Sequence, residues 1–195
     1  MGAVERKNLT IEGMASIEEA ISVLGDAGKA MGEYWEAAQR IGALGCKRAT
    51  RPVMRIVRES AEANRRAAAL YALWLLRDTR ATSLLLRVAA DGTASEKERI
   101  IAVEALGISG RRPHVQKALA RYLSDPLPMV RYSALCAIGA RWACGALPGP
   151  ELREALRRAT FDTTRVYEEG DVARLAAELL TPPKIGTFGA EGSSV

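Results

Sequence analysis

The chain has 195 residues, 48% of them hydrophobic and 26% charged, with a net charge of +5, a globular balance that excludes a disordered or fibrous polypeptide. Aromatic residues make up only 5%, and the recurrence of alanine and leucine favours closely packed helices over a β-sandwich. Arginines interrupt every apolar run before it reaches the roughly 18 residues that a membrane-spanning helix needs, so a soluble, cytoplasmic protein without membrane contact is expected.

Met1 to Asn8 lacks the apolar core of a secretory signal, and Arg6 stands where a myristoylation motif requires Ser or Thr. Residues 1–15 are expected to be flexible. Ser16 with Glu19 three positions on reads as a capping box that opens a preliminary helix over residues 16–31. This helix is expected to close the exposed end of a helical stack, and Gly25, Gly28 and Gly32 to break it early.

From there the chain repeats itself. Tyr34–Gly42, Arg66–Trp74, Arg99–Gly107 and Arg131–Gly139 align without gaps, with starts 32, 33 and 32 residues apart. The fourth position of this frame is Ala37, Ala69, Ala102 and Ala134; the eighth is Ile41, Leu73, Leu106 and Ile138. A small and a large apolar residue four apart share one helical face, which predicts a tight helix–helix contact beside a core filler. Gly42, Gly107 and Gly139 close the frame, where left-handed C-terminal caps are expected, while Trp74 in the second unit requires a different ending. Second amphipathic helices are predicted over Arg51–Ser60, Ala81–Ala90, Pro113–Ser124 and Glu151–Ala159, with Pro52, Pro113 and Pro150 near their starts. A weaker fifth copy, Ala173–Thr181, keeps Ala176 and Leu180 but comes after an insertion around Phe161–Gly170. The domain then spans residues 16–181, and the Pro-, Gly- and Ser-rich residues 182–195 are expected to be a disordered tail.

The unit Asp125–Gly139, with its aspartate, its Val130–Arg131 pair and an alanine-rich helix ending in glycine, resembles a HEAT repeat of the short type found in phycobilisome lyases. The resemblance covers roughly residues 33–181. It implies an all-α fold, a right-handed α-α superhelix (HEAT-like solenoid) of about four to five helix pairs, with second helices lining the concave surface.

Charge is distributed unevenly. Residues 47–90 carry ten basic and three acidic side chains, against four and seven in residues 1–46. Arg48, Arg51, Arg55 and Arg58 fall within about 80° of one another on a helical wheel, opposite Val53, Ile56 and Val57. Arg87, Lys117, Arg121, Arg153 and Arg157 hold comparable places on later second helices, and the nine together form the candidate binding surface. Arginine suits bidentate contact with carboxylates or phosphates.

Catalytic constellations are missing from the sequence. His114 is the single histidine, there is no glycine-rich phosphate loop and no nucleophile elbow, and Cys46, Cys136 and Cys144 lack the spacing of a metal or redox motif. HEAT-repeat hydroxylases that hold iron use paired His-Glu motifs, which this chain lacks. Glu168, Glu169 and Asp171 read as a solvated loop, and Trp35, Trp74 and Trp142 as packing residues. No cofactor and no metal are expected. The leading expectation is a non-catalytic scaffold or adaptor, in one version an immunity or regulatory protein, that grips an acidic protein on its concave face. The alternative is a HEAT-like nucleic-acid binder using the same arginines on phosphates, including a glycosylase-like arrangement of Asp78 and Trp74 beside the arginines; third is a bilin-lyase-like enzyme.

Overall fold

The computed structural model describes residues 11–181, except 109–111, 144, 146, 147, 168 and 169. The apolar periodicity of 3.6 is realised as ten α-helices among the described residues. They are α1 (Ile11–Gly25), α2 (Met31–Leu44), α3 (Thr50–Glu59), α4 (Ala63–Leu76), α5 (Thr82–Ala90), α6 (Glu96–Leu106), α7 (Pro113–Tyr122), α8 (Pro128–Ala143), α9 (Pro150–Ala159) and α10 (Val172–Leu180). The insertion before α10 forms a small antiparallel hairpin, β1 (Arg165–Tyr167) with β2 (Gly170–Asp171). Asp171 then caps α10, its carboxylate accepting from the amides of Ala173 and Arg174.

The first helices stack directly, α2 on α4, α4 on α6, α6 on α8 and α8 on α10. Alanine allows the close approach: Ala37, Ala69, Ala102 and Ala134 are buried, as are Ile41, Leu73, Leu106 and Ile138 beside them. In the fifth copy Ala176 is buried while Leu180 is only half-buried. Each second helix lies against the first helix of the next unit, α3 on α4, α5 on α6, α7 on α8 and α9 on α10. Helix α1 packs on α2 in the same way and also touches α3, so it takes the place of a second helix and the stack holds five interlocked pairs. The fold is the all-α HEAT-like solenoid.

Three local expectations are corrected. Helix α1 runs from Ile11 to Gly25, so it starts before the Ser16 that was expected to open it. Ser16 therefore lies within the helix and caps nothing; its Oγ accepts from Arg40 Nε at 2.9 Å, and Glu19 pairs with Arg40 Nη2 at 2.9 Å. The capping box occurs instead at Ser95 and Glu98, where each backbone amide donates to the other's side chain. Finally, Gly42, Gly107 and Gly139 are not left-handed caps. Helices α2 and α8 run past Gly42 and Gly139, and Gly107 sits at φ −56°. The left-handed residue after α2 is Gly45 (φ 62°), and after α4, where Trp74 displaces glycine, it is Arg77 (φ 50°). The frame glycines serve close approach: a Cβ at Gly42 would meet Leu75 at 2.5 Å, and one at Gly107 would meet the Ala137 backbone at 2.9 Å. The termini, residues 1–10 and 182–195, together with Cys144, Glu168 and Glu169, lie outside the described residues.

The first position of the repeat frame forms a ladder between units that local periodicity does not reveal. Tyr34 Oη is 2.9 Å from Glu62 Oε2, Arg66 Nε is 2.5 Å from Glu98 Oε1, Arg99 pairs with Asp125, and Arg131 Nε is 2.6 Å from Asp162 Oδ2. Arg66 and Arg131 also tie down the turn before their own helix. Arg66 Nη1 donates to the carbonyls of Ser60 and Ala61, and Arg131 Nη1 to those of Asp125 and Pro126. The Arg66 and Arg131 rungs thus satisfy backbone carbonyls at a helix entry while pairing with an acid of the next unit, and Arg99 Nε donates instead to the Ala89 carbonyl at the end of α5.

Burial pushes the Glu98 and Asp162 carboxyls up, but hydrogen bonds outweigh it, from Arg66 and Ser95 in one case and from Thr164 and Arg131 in the other, and both end below the usual carboxylate range. Carboxyls held low in the folded state bind protons more tightly when unfolded. Their stabilisation is present above the unfolded value, about pH 4, and is lost as the pH falls toward the folded values. Glu104, raised by burial against a weaker hydrogen bond from Ser133, acts in the opposite sense. The melting temperature is therefore expected to drop steeply on acidification from about pH 5 to about pH 3, and Asp162→Asn to flatten that dependence. An unchanged slope in thermal melts of the variant would show that this rung does not contribute.

Candidate binding surface

Helix α3 is built as two opposed faces. Val53, Ile56 and Val57 are buried against the stack, which leaves Arg51, Arg55 and Arg58 in solvent. Arg48 precedes them on a short 3₁₀ turn, Lys47–Ala49, and is also exposed. That turn is fixed from the second unit, because Arg80 Nη2 donates to the Lys47 carbonyl at 2.6 Å and Thr50 Oγ1 donates to Asp78 Oδ2 at 2.8 Å.

Three adjoining grooves surround this helix, with Pro52 common to all. One of about 590 Å³ is lined by Arg51, Arg55 and Arg58 with Met54 and Glu59. A second, of about 470 Å³, lies between α1 and α3 and brings Ile17, Ile21, Cys46 and Ala49 together with Arg48 and Glu18. The third, of about 490 Å³, joins Arg55 to Arg65 past Ile21 and Asp26. No ion pair or hydrogen bond engages the side chain of Arg48, Arg51, Arg55 or Arg58 among the described residues, whereas the repeat arginines Arg66, Arg99 and Arg131 are all paired.

The other five candidates stand apart. Arg87 on α5 and Lys117 and Arg121 on α7 are exposed but line none of these three grooves. On α9, Arg153 Nε donates to the Pro148 carbonyl at 3.1 Å and Arg157 pairs with Glu154 at 3.2 Å, so their guanidinium groups are partly satisfied within their own unit. The nine basic residues share exposure and placement on or beside second helices; Arg51, Arg55 and Arg58 line one groove, and Arg48 lines the groove adjoining it at Pro52.

Asp78 does not face the arginine groove. It accepts from Arg80 and Thr50, and those bonds, the Arg80 one first, hold its carboxyl well below the usual range. Trp74 packs against Tyr71 at 5.5 Å, which in turn meets Trp35 edge-on at 5.1 Å beneath Lys97 Nζ. That aromatic row spans two first helices, α2 and α4, with Lys97 of α6 over its end, and was not legible as a cluster in the sequence, since its members come from different frame positions. The glycosylase-like combination of Asp78, Trp74 and the arginine stripe is thus not assembled. Cys46 is buried, and the Cys136 thiol is pushed up to about 11 by burial of its sulfur and by Glu104. His114 is exposed on α7, and among the described residues no group of three His, Cys, Asp or Glu side chains is arranged to hold a metal ion. The chain does not supply the paired His-Glu donors of an iron site. No helix among the described residues is long and apolar enough to cross a membrane.

No protein-family model matches the chain, and no curated protein matches it. Solved structures do. The complex of CpcE and CpcF of phycocyanin lyase from Nostoc sp. PCC7120 is similar with a TM-score of 0.69 at 16% identity, over 86% of this chain and 99% of that one. Human deoxyhypusine hydroxylase is similar with a TM-score of 0.57 at 24% identity, over 86% of this chain and 64% of that one. At these identities the likeness is one of fold, and it agrees with the repeat architecture described above.

Proposed function

We propose that this HEAT-like repeat protein is a non-catalytic, cytoplasmic scaffold that holds an acidic surface of another protein against the helix α3 face, with Arg48, Arg51, Arg55 and Arg58 as the central contacts. The observation that carries this reading is the contrast between the paired ladder arginines and the four exposed, unpaired ones gathered at connected grooves. An unpaired guanidinium loses little by exchanging water for a carboxylate and contributes more once water is excluded. Arg87, Lys117 and Arg121 extend the positive field and speed encounter with an acidic partner. A solved neighbour that is itself a complex of two proteins supports protein partnership for this architecture.

The test is affinity capture from the native lysate with wild type and with the Arg51→Glu, Arg55→Glu, Arg58→Glu triple variant. Wild type is expected to retain a protein that the variant loses, with affinity reduced by about a hundredfold or more, since like charges then face the partner. Titration with labelled duplex DNA and RNA at two salt concentrations separates the phosphate-binding alternative. Tight binding that weakens steeply with salt would replace the acidic protein by nucleic acid.

A further inference from the structure

The groove between α1 and α3 differs in kind from the arginine face beside it. Its walls are the side chains of Ile17, Ile21, Cys46, Ala49 and Pro52, and its charged residues are Glu18 and Arg48. At about 470 Å³ it has room for one or two large apolar side chains. From it the arginines run along α3 at i, i+4 and i+7, as Arg51, Arg55 and Arg58, with rises of about 6 Å and about 4.5 Å. A carboxylate stripe on a second helix repeats with the same spacing, so a helix laid along α3 meets each arginine in turn.

We propose, resting on the scaffold reading above, that the recognition element is an acidic amphipathic helix of the partner protein. It seats an apolar anchor in the α1–α3 groove while its carboxylate stripe pairs with Arg51, Arg55 and Arg58. The groove supplies desolvated area at the centre, and the arginines supply register and orientation at its edge. An acidic loop without an apolar residue engages only the second of these.

The experiment uses the full chain and fluorescence anisotropy of a labelled helical peptide with a glutamate stripe beside a leucine stripe. Two matched peptides carry serine for the leucines or lysine for the glutamates. The Glu/Leu peptide is expected to bind about tenfold or more tightly than the Glu/Ser peptide, in line with burial of one large apolar side chain, and the lysine peptide not to bind. Ile21→Ser in the groove wall is expected to cost about tenfold. Glu18→Trp, an exposed position on the rim, blocks the groove without touching the core and is expected to do the same if folding of the first variant is impaired. Equal affinity for the leucine and serine peptides, with loss on Arg51, Arg55 and Arg58 reversal, overturns the anchor and leaves the scaffold reading standing. Binding indifferent to the reversal overturns both. No binding of the Glu/Leu peptide overturns the helix proposal, and an affinity gain of about tenfold on removing residues 1–10 assigns the groove to the chain's own N-terminal segment instead.

Discussion

Asp125→Ala is expected to destabilise the protein by about 3 kcal/mol, a loss of roughly 6–12 °C in melting temperature. The Arg99 and Asp125 side chains are only 12% and 8% exposed, which leaves this pair with less total exposure than the Arg66–Glu98 and Arg131–Asp162 pairs of the ladder. The aspartate also accepts from the Leu127 amide at 3.0 Å, at the turn that opens α8. Removing it leaves a guanidinium whose remaining acceptor among the described residues is the Ala89 carbonyl, with a charge that burial makes costly to leave unmatched. The asymmetry is the test. A double replacement, Arg99→Met with Asp125→Leu, removes both charges and is expected to lie within about 1 kcal/mol of wild type, because a buried pair roughly balances its own desolvation. Arg157→Ala, which breaks an exposed pair with Glu154, is expected to cost no more than a few tenths of a kcal/mol. Chemical denaturation of the four proteins reads all of this. An Asp125→Ala variant as stable as Arg157→Ala would mean that the rung makes no contribution.

The parts of this molecule that were legible in the sequence are those with a local cause. Ala37, Ala69, Ala102 and Ala134 recur four residues before a large apolar side chain, and that spacing alone places both on one helical face. The structure buries all eight. The ladder was not legible, although its first positions stand in the alignment as Tyr34, Arg66, Arg99 and Arg131. Their partners lie about a repeat away, at offsets that shift from Glu62 to Asp162. The arginine stripe on α3 was visible as a stripe, but whether it was free depended on what the neighbouring units presented. Arg153 and Arg157 have the same sequence signature and turn out to be engaged within α9 and the turn before it. The capping box fell at Ser95–Glu98 and not at Ser16–Glu19 because a motif of two residues fits wherever they occur three apart, and only the preceding backbone decides whether a helix begins there.

The frame glycines were misread for a related reason: after an apolar helical run, a glycine that ends a helix and one that admits a neighbouring helix look alike. Their roles predict opposite outcomes for one substitution. Gly107→Ala is expected to cost about 3 kcal/mol, because its Cβ would lie 2.9 Å from both the Cα and the carbonyl oxygen of Ala137 and 3.0 Å from the Glu104 carbonyl. Backbone on both sides cannot yield as a side chain would, so α6 and α8 must separate and loosen the alanine contacts along their seam. At Gly139, within α8, the nearest atom is Leu179 Cδ2 at 3.5 Å, an ordinary contact with a side chain that can turn aside. There the gain in helix propensity of about 1 kcal/mol prevails, and Gly139→Ala is expected to be neutral or stabilising. Were both glycines C-terminal caps, both alanine variants would be destabilised alike by the left-handed conformation. Thermal melts of the two single variants distinguish these cases by sign, and loss of stability in both by a similar amount would restore the capping role.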